Sequence, residues 1–318
     1  MEQLRSFEMV ARVGNITRAA DALFLSQPSL SRQLASLEHD LGVELLQRGQ
    51  RGTTVTPAGA ALLPVARRML ADAEAARREM AAFAGLERGR LRIGATPTLC
   101  VSLVAEALAT FHRDFPGVEL QVTESGSPGL VEALEEGALD LALVVSTGDG
   151  ALRQPSVRIP LLTEQLVVVG AAQGSPLQTR SKLSVAELAS LPQIAFHSGY
   201  ELRQVTDAAF AQAHVDPRIV VEGAEMDAVL RFVECGIGVA VVPAMVLLDR
   251  PSLRAVPLTG ERVNRTVSLA YRGDIRPTDA VAAMRTVLFD TVDLLTAPGT
   301  ALARLVVRES GLPTPVGH

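Results

Sequence analysis

The segment Gln27-Pro28-Ser29-Leu30-Ser31-Arg32-Gln33-Leu34-Ala35-Ser36-Leu37-Glu38 constrains this chain more than any other. Leu30, Leu34, Leu37 and Leu41 recur at steps of four, three and four, so on a helix they share one buried face. The opposite face carries Gln27, Ser29, Ser31, Arg32 and Ser36. Those side chains are short or fork-shaped hydrogen-bonders, whereas a face meant only for solubility would use Glu and Lys. Upstream, Leu4, Phe7, Val10 and Ala11 define a first helix ending near Gly14, and Asn15 caps a second over residues 16–24. Leu25-Ser26 turns the chain, Ser26 caps the third helix, and Pro28 is tolerated in its first turn. A leucine-backed helix with a Ser/Gln/Arg front suits a major groove, where Arg pairs with guanine and Gln with adenine. The alternative is an ordinary helical hairpin with a polar solvent face.

After Gly42, residues 45–48 and 53–56 flank Gly49-Gln50-Arg51-Gly52, which predicts a short hairpin with Arg51 at its tip and Arg48 just before it. Beside a groove-reading helix, such a wing sets arginines on phosphate or in a minor groove. Thr56 then caps a helix opened by Pro57 and running over residues 57–88. Leu62, Ala66, Met69, Ala73, Ala76, Met80 and Phe83 follow at alternating steps of four and three, a heptad seam that predicts a coiled-coil contact with a second helix. Pro64 removes one backbone donor in its early turns. A seam joining two chains pairs two heads, and a two-fold protein demands a dyad-related DNA site with half-sites a helical turn or a multiple apart. The alternative is a long helix packing on its own chain.

Residues 7–59 resemble the winged helix-turn-helix of the LysR-type transcriptional regulators. The resemblance is carried by Thr17-Arg18-Ala19-Ala20-Asp21-Ala22-Leu23, by residues 25–34, and by Leu37-Glu38, Leu41-Gly42-Val43, Leu46-Gln47-Arg48 and Thr56-Pro57-Ala58-Gly59. Asn15 stands where the family usually has Ser, and Leu46 where Phe is usual. The resemblance implies that Gln27, Pro28, Ser29, Ser31 and Arg32 face bases and adjacent phosphates. It also implies that Thr17 and Arg18 hold the backbone, with Arg48 and Arg51 in the wing. Ser36 lies on the same polar face. The resemblance further implies dimerisation through the linker helix and dimers pairing into tetramers; a ligand that biases such an assembly is expected to alter DNA bending and contact with RNA polymerase.

From Leu91 onward, β-rich runs alternate with helical ones, the pattern of an α/β domain with parallel strands. Strands are predicted at 90–95, 118–123, 139–145, 165–169, 193–196, 219–222, 239–242 and 263–271, with a closing helix at 278–295. The chain leaves one α/β unit and returns to it, crossing near 160–163 and again near 264–267. That gives lobe 1 (about 90–161 and 267–298), lobe 2 (about 162–266) and a cleft between them. The strand order resembles the family's co-inducer domain, itself similar to periplasmic binding proteins. Leu139-Asp140-Leu141-Ala142 and residues 236–243 carry that likeness. The expected architecture is therefore α/β: an all-α winged helix-turn-helix (1–56), a linker helix (57–88), a two-lobed effector domain (90–298) and a loosely tethered tail (299–318).

Polar residues at strand-to-helix junctions are the cleft candidates: Thr96, Thr98, Ser125, Ser127, Ser146, His197 and Ser198. In the family, these junctions contact the effector. Hydroxyls beside helix N-termini suit a small acid, although each hydroxyl could simply cap its helix.

Charge adds little. Residues 1–92 carry +3 and the remainder −8 within a total of −5, while residues 1–60 balance. The twelve-residue apolar stretch at 237–248 is too short for a bilayer, and Glu2, Arg5 and Glu8 interrupt any signal-peptide core. Two cysteines, Cys100 and Cys235, point to a reducing cytoplasm. No metal pattern, cofactor motif or nucleophile with a base partner is legible: the five histidines are scattered, and Gly236-Ile237-Gly238 lacks the dinucleotide context. The expected function is a non-enzymatic, effector-responsive DNA-binding regulator. The rival reading is a small-molecule-binding protein or enzyme whose N-terminal helices only oligomerise. Steep salt dependence of DNA affinity separates the two.

Overall fold

The computed structural model describes residues 1–49, 52–83, 89–146, 156–248, 250–259, 264–300 and 302–309. The chain divides into two compact units, residues 1–89 with 132–140, and residues 90–131 with 141–318.

The first unit begins with α1 (Glu2–Val13), α2 (Ile16–Ala22) and α3 (Gln27–Leu41), followed by β1 (Leu46–Gly49), β2 (Gly52–Val55) and α4 (Pro57–Phe83). Caps set these boundaries. Asn15 accepts from the Arg18 N–H, and Ser26 accepts from the Ser29 N–H. Gly14 and Gly42 close α1 and α3 in the left-handed region, where a side chain is strained. Leu30, Leu34 and Leu37 are buried with Phe7, Val10, Ile16 and Ala19 in one small core, whereas Leu41, expected on the same face, is 48% exposed at the helix end beside the Gly42 cap. Burial of a leucine contributes about 1.5–3 kcal/mol, so this stripe is the main force holding α3 in place.

The second unit is wound α/β. Its first part holds β3 (Arg90–Ala95), then α5 (Pro97–Leu99), a π-type turn over Cys100–Val104, α6 (Ala105–Asp114), β4 (Glu119–Glu124), α7 (Ser127–Glu135) and β5 (Leu141–Ser146). β4, β3 and β5 pair in parallel. Then comes β6 (Ser156–Ala171), one sixteen-residue strand. Its first part pairs with β12 (Asn264–Arg272). Its last part pairs with β10 (Ala240–Pro243) and β11 (Leu253–Thr259). Both crossovers foreseen from sequence therefore fall within strands, and a bulge lies where Val267 and Ser268 face Leu162 and Pro160. The second lobe adds β7 (Leu183–Ser184), α8 (Val185–Ala189), β8 (Gln193–Phe196), α9 (Glu201–Gln212), β9 (Ile219–Ala224) and α10 (Met226–Glu234). α11 (Asp279–Thr296) packs back on the first lobe through Met284, Leu288 and Val292.

The expectation of a loose tail fails for its described part. β13 (Val306–Arg308) pairs with β6 at Leu162–Glu164. Leu302 and Val306 are buried, and Thr163 Oγ1 donates to Glu309 Oε1 at 2.6 Å. The physical reason is that β12 covers only one edge of β6, leaving backbone groups that another strand must satisfy. Residues 310–318 lie outside the described residues.

Candidate nucleic-acid interface and effector cleft

On the first unit, Gln27, Pro28 and Arg32 are exposed on α3, with Ser29 and Ser31 half-exposed beside them. Arg32 makes no hydrogen bond or ion pair with any described residue, so its fork is free for an outside partner. Thr17 and Arg18 are exposed on the first turn of α2. Ser36 is occupied at the far end of the same face, where its hydroxyl accepts from Gln3 Nε2 at 2.9 Å. Arg48 lies on β1 opposite Thr53, but its side chain and the whole of Arg51 are outside the described residues.

Sequence reasoning missed what fixes the wing. Glu38 reaches from α3 to accept the Leu45 and Leu46 N–H groups at 2.8 and 3.1 Å, hanging the hairpin on α3. The other flank is tied by the Thr53 N–H donating to Gly14 O at 2.9 Å. Thr56 Oγ1 donates to Glu44 O and accepts the Gly59 N–H, the cap expected from sequence. Gly59 must be glycine, because an added Cβ would sit 2.2 Å from Leu45 O.

The seam on α4 needs one correction. Ala66 is 0% exposed and Leu62 packs against the same small core, so both serve their own chain. α4 packs against α1, and that packing consumes the first part of the heptad pattern. Met69 is 47% exposed, Ala73 half-buried and Ala76 exposed. The side chains of Met80 and Phe83 lie outside the described residues.

In the second unit, the junction residues separate into an engaged set and an idle one. Thr96 and Thr98 are buried with their hydroxyls 3.4 Å apart. Ser127 is buried; its Oγ accepts the Val145 N–H at 3.1 Å and donates to Glu201 Oε2 at 3.5 Å, linking the first lobe to the start of α9. Ser125 is half-buried, and its N–H donates to Ala95 O. Ser146 ends β5 opposite Thr266. His197 accepts the Gly199 N–H on Nδ1 and faces Glu225 through Nε2 at 3.6 Å, while Ser198 is exposed.

Three residues absent from the sequence reading lie beside these junctions. Arg265 on β12 faces Glu164 on β6 in register, and its Nε donates to Glu164 Oε1 at 2.8 Å. Its Nη2 donates to Thr98 Oγ1 at 2.8 Å, and Glu164 Oε2 accepts the Met245 N–H. Tyr200 stacks on Phe196 with ring centroids 4.8 Å apart and takes His197 edge-on. Burial pushes the Tyr200 phenol up to about 12. Arg265 opposes that shift, while Glu225, Glu124 and Glu201 add to it. None of this was visible in sequence, since Arg265 and Thr98 are 167 positions apart. Burial, and then Glu124, likewise push the Cys100 thiol up to about 11, so it is a neutral thiol and not a thiolate. Among the described residues there is no cluster suited to a metal ion. No described helix is long and apolar enough to cross a membrane.

Comparison with known proteins matches both units. The family model of the bacterial regulatory helix-turn-helix protein, lysR family, matches residues 1–60. That of the LysR substrate binding domain matches residues 84–293. The chain is 30% identical over 270 residues to the uncharacterized HTH-type transcriptional regulator YybE of Bacillus subtilis, covering 85% of this chain and 91% of that one. It is 32% identical over 278 residues to the HTH-type transcriptional regulator TfdS of Cupriavidus pinatubonensis, covering 86% and 92%. Among solved structures, full-length CbnR complexed with its target DNA matches with a TM-score of 0.62 at 26% identity, covering 92% of this chain and 98% of that one. A full-length OxyR variant from Pseudomonas aeruginosa shares the fold with a TM-score of 0.70 at 24% identity, covering 98% of each chain.

Proposed function

The chain belongs to the LysR family of bacterial transcriptional regulators, DNA-binding proteins with an effector domain and not enzymes, and from that premise we propose how its residues divide the work. Gln27, Ser29, Ser31 and Arg32 read base edges and neighbouring phosphates. Thr17 and Arg18 hold the backbone, and Arg48 and Arg51 anchor the wing. The observation that carries this reading is the N-terminal part of the outer face of α3: Arg32 is exposed and pairs with no described residue, on a helix whose other face is locked into the core.

A small-molecule effector occupies the cleft between the lobes of the second unit, touching Thr96, Thr98 and Ser127. It shifts transcription by favouring one arrangement of those lobes. The exposed part of α4, from Met69 onward, joins two chains into a homodimer on a dyad-related site, and dimers pair into tetramers. Bent DNA then brings RNA polymerase into contact. Such a regulator works in the cytoplasm, where the DNA is.

Gel-shift titration of the full chain against the DNA flanking its own gene tests the reading. A specific complex whose affinity falls steeply between 50 and 200 mM salt supports it. Affinity that ignores salt and sequence overturns it.

A further inference from the structure

β6 and β12 carry the chain between the lobes, and their pairing is irregular at one point. Val267 faces Leu162 and Ser268 faces Pro160, so Leu161 has no partner on β12. An extra residue of this kind interrupts the cross-strand bonds and leaves the pair most compliant there. The opposite edge of β6 is covered at the same place. β13 pairs with Leu162, Thr163 and Glu164, and the next residue, Glu309, closes on the bulge twice. Its N–H donates to Leu161 O at 3.0 Å, and its Oε1 accepts from Thr163 Oγ1 at 2.6 Å. Thr163 has one hydroxyl proton, spent on Glu309, so it accepts from Thr266 Oγ1 on β12, 3.1 Å away. One chain of hydrogen bonds thus runs from β12 through β6 to Glu309. The same segment is anchored elsewhere: Leu302 and Val306 are buried in the core, and Arg308 pairs with Asp293 on α11.

We propose that β13 is a regulatory strap on the hinge, with Glu309 as its clasp. Fastened, it holds the compliant bulge to α11 and restricts the lobes to one arrangement. Released, it lets them exchange. This rests on lobe movement being the response that an effector biases. The strap is built to come off before the strands it grips. It is three residues long, against sixteen for β6. Among the described strands it pairs with β6 alone, and Val307 at its centre is 62% exposed. Short edge segments facing solvent open at the low end of a protein's range of local stabilities, whereas core strands open at the high end. The bond from Thr163 to the Glu309 carboxylate is charge-assisted and so stronger than a neutral one, which makes Glu309 the point where fastening is decided.

Spin-label distance measurement on the full chain tests this, with neither effector nor DNA present. One nitroxide is placed on Cys235, exposed in the second lobe, and one on Glu106→Cys, exposed on α6 of the first, in a Cys100→Ala background. Labelled chain is diluted in unlabelled chain, so that only distances within one chain are read. Glu309→Pro removes both the N–H and the carboxylate of the clasp, and it should widen the distance distribution about twofold. Thr266→Val cuts only the bond between the two crossing strands and should leave the distribution as narrow as in the wild type. An unchanged width in Glu309→Pro overturns the proposal, and so does equal widening in Thr266→Val. If Glu309→Pro does not fold, the near-isosteric Thr163→Val, which cuts the same clasp, decides on the same terms. A gel shift of the wild-type chain is read in parallel. DNA binding with unchanged widths removes the strap alone. Absence of DNA binding removes the regulator reading and leaves the widths to judge the strap.

Discussion

Arg265 and Glu164 face one another in register on the two strands that join the lobes, 2.8 Å apart, with side chains 8% and 0% exposed. Breaking one half of such a pair leaves an uncompensated buried charge. Glu164→Ala also strips the Met245 N–H of its acceptor. We expect a loss of about 3–5 kcal/mol in urea unfolding of the full chain. The double variant Glu164→Met with Arg265→Met recovers most of it. If the double variant is as unstable as the single one, the pair is not what fails.

Under the proposed division of work, Arg32 reads bases and Arg18 holds the backbone. Arg32→Ala should cost about 1–3 kcal/mol at the specific site and relax base preference there. Arg18→Ala should instead weaken binding evenly across sequences and lower the salt slope by about 1. Competition gel shifts against shuffled sites, repeated over a salt series, read both quantities.

Phe24 sits in the turn between α2 and α3 with φ 55 and is 98% exposed. The left-handed backbone is unfavourable for a bulky side chain, and nothing in the fold repays the exposure. Phe24→Asn tolerates that conformation and should raise stability by about 1 kcal/mol in thermal unfolding. A variant that melts lower would show that the ring has a partner.

The two cysteines should respond differently to alkylation. Cys100 is half-buried, and burial and then Glu124 push its thiol up to about 11, whereas Cys235 is exposed. At pH 8 only about a thousandth of Cys100 is thiolate, so iodoacetamide should modify Cys235 first. The sign follows from the raised value: the neutral thiol is favoured by the fold. That preference is held below the ordinary thiol range and is lost as pH rises through 11. Mass spectrometry of peptides after timed quenching measures the two rates.

Much of the first unit was legible because its information is local. The leucine stripe of α3, the Asn15, Ser26 and Thr56 caps and the glycine closures all act within a few residues. Glu38 was visible as a letter but not as a brace, since the N–H groups it holds belong to a hairpin whose docking angle no periodicity reports. The heptad steps of α4 were read correctly as spacing, yet spacing does not say whether Ala66 meets a partner or its own core. In the second unit, buried runs such as Leu141–Val144 announced themselves by composition. The full span of β6 did not, because one strand serving two sets of neighbours has no signature beyond its apolar residues. Threonines and serines at strand ends were legible as positions, whereas the contacts of Arg265 with Glu164 and Thr98 formed only when distant stretches met.

The uninterrupted run of β6 from Ser156 to Ala171 has a mechanical corollary. A ribbon bonded along its length to one lobe and then to the other cannot act as a slack joint. Opening or closing the lobes must wring that ribbon about its long axis, and its ladder resists like a torsion bar. The two arrangements an effector chooses between should therefore differ by a modest twist, with elastic recoil when the ligand leaves.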